Sequence, residues 1–237
     1  MEKQIERPCP LGKGRMICLV LNYFLGYNFL YPLLLRHITL WLDPTARAIP
    51  DWMQYAVYIY MMIISIVLAY PLLQESLTTL RQRKTQVVKS AFLLMIGYYI
   101  ASIFLNVILM QFTDTTTSAN QSEIIHAVEI SPWLTLFTTI IYAPIVEEIL
   151  FRGVFYRALR PHLSMCWSGF ISAFAFGFIH VMTSFFTGDF GDMIYLFSYA
   201  LIGLFLVMAY EKNDTIYASI LLHFINNALA FLLLFAP

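Results

Sequence analysis

Apolar residues along this chain come in blocks that a water-soluble core does not need. Near 16–42, 53–73, 88–112, 132–157, 166–187, 192–210 and 215–236, each block approaches or exceeds the roughly 20 residues that let an α-helix cross a bilayer. Polar segments separate them: DPTARAIPD at 43–51, QESLTTLRQRKTQ at 74–86, TDTTTSANQSE at 113–123, RALRPHLS at 157–164, GDFGD at 188–192 and EKND at 211–214. The pattern predicts an all-α polytopic membrane protein with about seven transmembrane helices. A re-entrant or interfacial fifth or sixth block, giving an even count, is the alternative. The first block is too long for a signal-peptide core and no A-x-A site follows it, so it reads as an uncleaved anchor.

Composition agrees: 60% of residues are hydrophobic, 12% are charged and the mean hydropathy is +0.72, whereas a soluble domain carries roughly a quarter charged residues. The formal net charge is zero, so no basic field points to nucleic acid. Charge informs by position instead. With the N-terminus inside and one crossing per block, Lys3, Arg7, Lys13, Arg15, Arg81, Arg83, Lys84, Lys89, Arg152, Arg157, Arg160 and Lys212 fall on the cytoplasmic side, leaving only Arg36 and Arg47 outside. That bias predicts a cytoplasmic N-terminus and an outside C-terminus, in the plasma membrane if the chain is bacterial. Trp41, Trp52, Trp133 and Trp167 lie at block edges, where aromatic belts form. Cys9, Cys18 and Cys166 show no metal or disulfide spacing.

Chemistry concentrates in the second half. Residues 1–125 read as accessory helices, with Asn106 their main intramembrane polar group, and 126–237 as the working half with a four-helix core. There, Glu147 and Glu148 sit side by side in IIYAPIVEEILFRG, and ionisable residues inside hydrocarbon are functional candidates. Glu148 and Arg152 are spaced i, i+4 and share a helix face. Glu147 is turned about 100° away, so one carboxylate is expected to be anchored and the other left free. Pro144 should bend this helix and free a carbonyl. At about 1.5 Å per residue, Glu147 lies roughly 15 Å, His180 roughly 20 Å and His223 roughly 13 Å from the cytoplasmic edge. Phe176 shares a face with His180, and Asn227 with His223. Each group alone is explained by helix packing; three at matching depth point to convergence.

Such a set suits hydrolysis of an acyl bond. Glu147 could activate water as general base, aided by His180, while His223 and Asn227 stabilise an oxyanion. A zinc ion on Glu147, His180 and His223 is the other route to an activated water; no H-E-x-x-H is present. The three motifs EEILFRG (147–153), FGFIH (176–180) and HFINN (223–227) resemble those of the CPBP family, the CAAX proteases and bacteriocin-processing enzymes. The resemblance covers about 147–227, or 130–237 with flanking helices. It implies a polytopic intramembrane endopeptidase with Glu147, Glu148, Arg152, His180, His223 and Asn227 as site residues, metal-dependent or metal-free. It also implies a membrane-associated peptide substrate, processed as a precursor or in bacteriocin self-immunity, prenylated substrates being less expected in a bacterium. The cavity is expected to face the cytoplasm. The rival readings are a non-catalytic immunity or scaffold protein on the same fold and a small proton-coupled transporter, the latter disfavoured because no inverted repeat is visible.

Overall fold

The computed structural model describes residues 9–113 and 115–235. The expected basic residues Lys3 and Arg7, and the last two residues of the 126–237 half, lie outside them. Among the described residues the chain folds as helices α1 (Lys13–Leu42), α2 (Asp51–Leu68), α3 (Tyr70–Leu109), α4 (Ala119–Ile130), α5 (Pro132–Leu159), α6 (Met165–Thr187), α7 (Asp192–Asn213) and α8 (Ile216–Leu233). All but α4 are long and apolar enough to cross a membrane.

Local chemistry sets most of the boundaries. Ser118, Ser164 and Thr215 cap the N-termini of α4, α6 and α8 with their side-chain oxygens, satisfying backbone N–H groups that have no partner within the helix. Pro71 and Pro132 stand in the first turns of α3 and α5, where a missing N–H costs nothing. Gly188 ends α6 in the left-handed region at φ 81°, and Asp214 ends α7 at φ 57°.

Two expected loops are helical instead. The segment 74–86 belongs to α3, which runs 40 residues with a break at Arg83 (φ −127°, ψ 26°). Its Gln, Leu, Arg and Lys residues are good helix formers and it contains no Gly or Pro. The preceding apolar block is correspondingly shorter, α2 ending at Leu68. The segment 113–123 likewise yields to α4 from Ala119 onward.

Contacts between chain reversals define two ends of the bundle. At one, Arg15 donates to the Leu68 carbonyl at 3.2 Å, Thr215 to the Ser76 carbonyl at 2.9 Å, and Asn213 to Ser90 at 3.0 Å. Arg157–Glu75 at 3.4 Å and Arg160–Glu211 at 3.5 Å add ion pairs there. At the other, Ser131 donates to Asp51 at 2.9 Å, the Ala119 N–H to Asp192 at 2.8 Å, and the Tyr195 hydroxyl to the Thr115 carbonyl at 2.7 Å. The alternation inferred from charge is thus present as geometry: the Lys/Arg-rich connections meet at the first end and the acidic ones at the second. Arg152 is the exception, because it lies inside the bundle with no exposure.

Helix α5 occupies the centre; Glu148, Ile149, Phe151, Arg152 and Tyr156 are wholly buried. Helices α6 and α7 approach closely through glycine. A Cβ on Gly177 would stand 2.9 Å from the Leu196 carbonyl oxygen, and one on Gly203 3.0 Å from the Ala173 backbone. Small residues at such crossings let apolar helices gain dispersion contact where hydrophobic expulsion offers none. The outside of the bundle is apolar, with Leu33, Leu93, Phe104 and all four tryptophans exposed, as a lipid-facing surface requires.

Candidate active site

Helix α5 brings both carboxylates to the middle of the bundle, and their surroundings differ. Glu148 Oε1 accepts from Arg152 Nη1 at 2.8 Å and from His223 Nδ1 at 3.0 Å. Arg152 also donates through Nη2 to the Gly203 carbonyl at 2.9 Å, an approach that the glycine-lined α6–α7 crossing permits. Its guanidinium lies 4.7 Å from the centre of the Phe176 ring, within cation–π range. Since a carboxylate only accepts, His223 Nδ1 carries a hydrogen and Nε2 is turned to other work.

Glu147 has different partners. Tyr23 donates to its Oε1 at 3.3 Å. Its Oε2 lies 4.0 Å from His223 Nε2 and, although buried, has no hydrogen-bond partner. Oε2 of Glu148 is equally unpartnered, but only Glu147 borders a cavity. That cavity, of about 530 Å³, is lined by Glu147, His180, His223 and Asn227 together with Tyr23 and Tyr199. The four candidate residues nearest to reaction chemistry therefore do converge on one space. Glu148 and Arg152 sit behind it as a buried pair.

His180 is held by its neighbours. Its Nδ1 lies 2.9 Å from the Phe176 carbonyl, so that nitrogen donates and Nε2 is left as the acceptor. The ring stacks on Tyr199 at 4.5 Å and packs against Phe176 at 4.8 Å. Phe176, also 5.6 Å from the His223 ring, is a buried spacer touching Arg152 and both histidines.

Asn227 is placed by a backbone irregularity. Residues 137–142 form π-helical turns, in which each N–H reaches the carbonyl five residues back; the Ala143 N–H bonds the Thr138 carbonyl. The next donor in that register would be residue 144, which is proline and has no N–H. The carbonyl this leaves unpaired is Thr139, and Asn227 Nδ2 fills it at 2.8 Å. Pro144 was expected to free a carbonyl, and the π register decides which one. The Asn226 amide donates in turn to Asn227 Oδ1 at 3.1 Å.

Among the described residues, no three His, Cys, Asp or Glu side chains are arranged to hold a metal ion. His223 Nδ1 bonds to Glu148 and His180 Nδ1 to a carbonyl, which leaves each Nε2 free, as a metal ligand would also require. Glu147, His180 and His223 are not drawn together as one ligand group among the described residues.

Two features escaped the sequence reading. Tyr23 comes from the N-terminal half, and with Tyr27, Gln54 and Tyr58 it lines the cavity; a tyrosine inside an aromatic-rich block carries no sequence signal of its own. The second is the direction of opening. From Glu147 the lining passes Tyr142, Thr138 and Leu134 to Ser131, Gln121 and Asn120, and along α8 from His223 to Leu234. The cavity therefore opens at the acidic end, where 113–131 lies, and not at the basic end as expected.

A bundle of apolar helices with a buried Glu–Arg–His cluster beneath an open cavity defines a polytopic membrane protein with an intramembrane polar site. Comparisons with known proteins show what part of the chain is similar to. Residues 129–229 match the family described as type II CAAX prenyl endopeptidase Rce1-like. A curated relative, "Putative membrane peptidase YdiL" of Bacillus subtilis (strain 168), is 25% identical over 120 residues, 51% of this chain and 45% of that protein. The chain thus matches somewhat less than half of that relative's length. No solved structure matches. The C-terminal segment of the chain, residues 129–229 and less than half of its length, is thus similar to the CAAX endopeptidases, and the seven long apolar helices make the chain an integral membrane protein.

Proposed function

We propose that the protein is an intramembrane endopeptidase in which Glu147 activates water to cleave a peptide bond of a membrane-associated polypeptide. The observation that carries this reading is the asymmetry of the carboxylates. Glu148 is consumed by Arg152 and His223, while Glu147 keeps a buried, unpartnered oxygen at the cavity.

In this mechanism Glu147 Oε2 removes a proton from a water that also donates to the Nε2 lone pair of His180. The oxygen of that water bonds to the substrate carbonyl carbon, whose oxygen becomes an oxyanion. His223, in the imidazolium form that carries a hydrogen on Nε2 as well as on Nδ1, and the second N–H of the Asn227 amide stabilise that charge. The C–N bond then breaks, and the proton held by Glu147 passes to the leaving nitrogen. The products are a carboxylic acid and an amine, and Glu147 is regenerated. Glu148 and Arg152 act through His223, whose ring they orient. The charge distribution supports a cytoplasmic N-terminus and an outside C-terminus. Precursor processing or bacteriocin-related immunity are the roles proposed for the cleavage.

Purified protein in detergent, offered a pool of acylated, internally quenched peptides, tests the reading. Wild type should cleave, Glu147→Ala and His180→Ala should each lose most of the activity, and a chelator should leave wild type active. Equal cleavage by all three proteins would leave a non-catalytic scaffold as the better description.

A further inference from the structure

The cavity and the positive charge lie at opposite ends of the molecule, and together they assign a side to the chemistry. Lys13, Arg15, Arg81, Arg83, Lys84, Lys89, Arg157, Arg160 and Lys212 lie on helix segments, and for Arg160 on the connection, gathered at one end. The helix ends and connections at the other end hold only Arg36 and Arg47 among the described Lys and Arg residues outside the bundle. A bias of this size in short connections retains the basic end in the cytoplasm. The 530 Å³ cavity leads from Glu147 away from that end, towards α4 and the last turns of α8.

From this placement we infer that the site opens to the non-cytoplasmic face, and that its substrate is a segment of a membrane-anchored polypeptide on that face. The inference rests on the peptidase reading above and specifies its substrate class. The lining chemistry narrows the class further. Among the described residues no Lys or Arg lines the cavity, and Glu123 stands near its mouth. A free terminal carboxylate would enter this space without a counter-charge, at a cost that burial in low dielectric makes large. A neutral or basic internal segment enters without that cost, with Gln121, Ser131 and Thr135 available to its backbone.

Helix α4 fits the role of a rim. It is tied to the bundle by Ser118 and Asn120, both bonded to the Tyr199 hydroxyl at 2.7 and 3.1 Å, and Tyr199 is the residue that stacks on His180. The mouth and the site are thus joined through one side chain.

The test uses the full chain with Cys9, Cys18 and Cys166 replaced by serine and a single cysteine returned. Gln121→Cys lines the mouth, His126→Cys is exposed on α4, and Lys84→Cys is exposed at the basic end. Intact cells are treated with a membrane-impermeant maleimide before or after lysis. The protein is then purified and assayed for cleavage of amidated and free-carboxylate versions of the same quenched peptide. The inference expects Gln121→Cys and His126→Cys to label in intact cells, Lys84→Cys to label only after lysis, labelled Gln121→Cys to lose at least tenfold in cleavage, and the amidated peptide to be preferred. Labelling of Lys84→Cys alone in intact cells overturns the sidedness while leaving the peptidase reading untouched. Outside labelling of Gln121→Cys with full activity overturns the entrance. Absence of cleavage by the unlabelled wild type overturns the substrate class together with the reading beneath it.

Discussion

His223 Nδ1 lies 3.0 Å from Glu148 Oε1, the same oxygen that accepts from Arg152 at 2.8 Å. One carboxylate oxygen thereby joins α5 to α8 and fixes the face that His223 turns to Glu147. Neither charged partner has any exposure, and a buried ion stripped of its partner is costly even where the intact pair adds little. Arg152→Ala should therefore lower stability by about 3–5 kcal/mol, read as a reduced thermal midpoint in detergent. A variant as stable as wild type would show that the pair is dispensable to the fold.

The Asn227–Thr139 bond gives a prediction with an internal control. Asn227→Ala leaves the Thr139 carbonyl without its donor, at a cost of about 1–3 kcal/mol. Pro144→Ala restores an N–H in the π register that ends at that carbonyl. The double variant should recover part of the stability lost by Asn227→Ala, as measured by a double-mutant cycle. Purely additive losses would contradict the assignment of the freed carbonyl to Pro144.

Tyr23→Phe removes the hydroxyl that donates to Glu147 while keeping the ring packed between Phe24, Tyr27 and Phe151. Losing a hydrogen bond to a charged group, worth about 1.5–3 kcal/mol of stability, should lower the thermal midpoint by several degrees and reduce kcat about tenfold or more. Full activity would show that the N-terminal half contributes nothing to the reacting carboxylate.

A Cβ on Gly177 would stand 2.9 Å from both the Ala200 nitrogen and the Leu196 carbonyl oxygen, main-chain atoms of α7 that cannot rotate aside. Gly177→Val should cost at least about 1–3 kcal/mol, as overpacking does. Because the Gly203 carbonyl in the same crossing accepts from Arg152, activity should fall as well. An unchanged midpoint would mean that the helices can separate freely.

Much of this was legible in the sequence because membrane spans are written in long blocks. The i, i+4 spacing of Glu148 and Arg152 fixed their pairing, and rotation by one residue left Glu147 outside it. Depth alone brought His180 and His223 to the same level. Other features depend on three-dimensional packing. Which oxygen His223 meets is set by the crossing of α5 and α8. Tyr23 is one tyrosine among many, and only the approach of α1 to α5 selects it. The segment 74–86 was read as a connection from its polarity, yet polar residues with good helix propensity extend a helix beyond the bilayer as readily as they end it. The direction of the cavity follows from which ends of α5 and α8 diverge, and no local pattern encodes that.

The central claim is that Glu147 is the reacting base and not a structural group. Glu147→Gln retains size, burial and an acceptor for Tyr23 but removes the basic carboxylate. Parallel measurement of peptide cleavage and thermal unfolding on the purified variant tests the claim most directly. The expected result is a thermal midpoint close to wild type with cleavage reduced by about 10²–10⁴, the range for loss of a general base. Wild-type cleavage in a folded Glu147→Gln variant would contradict it.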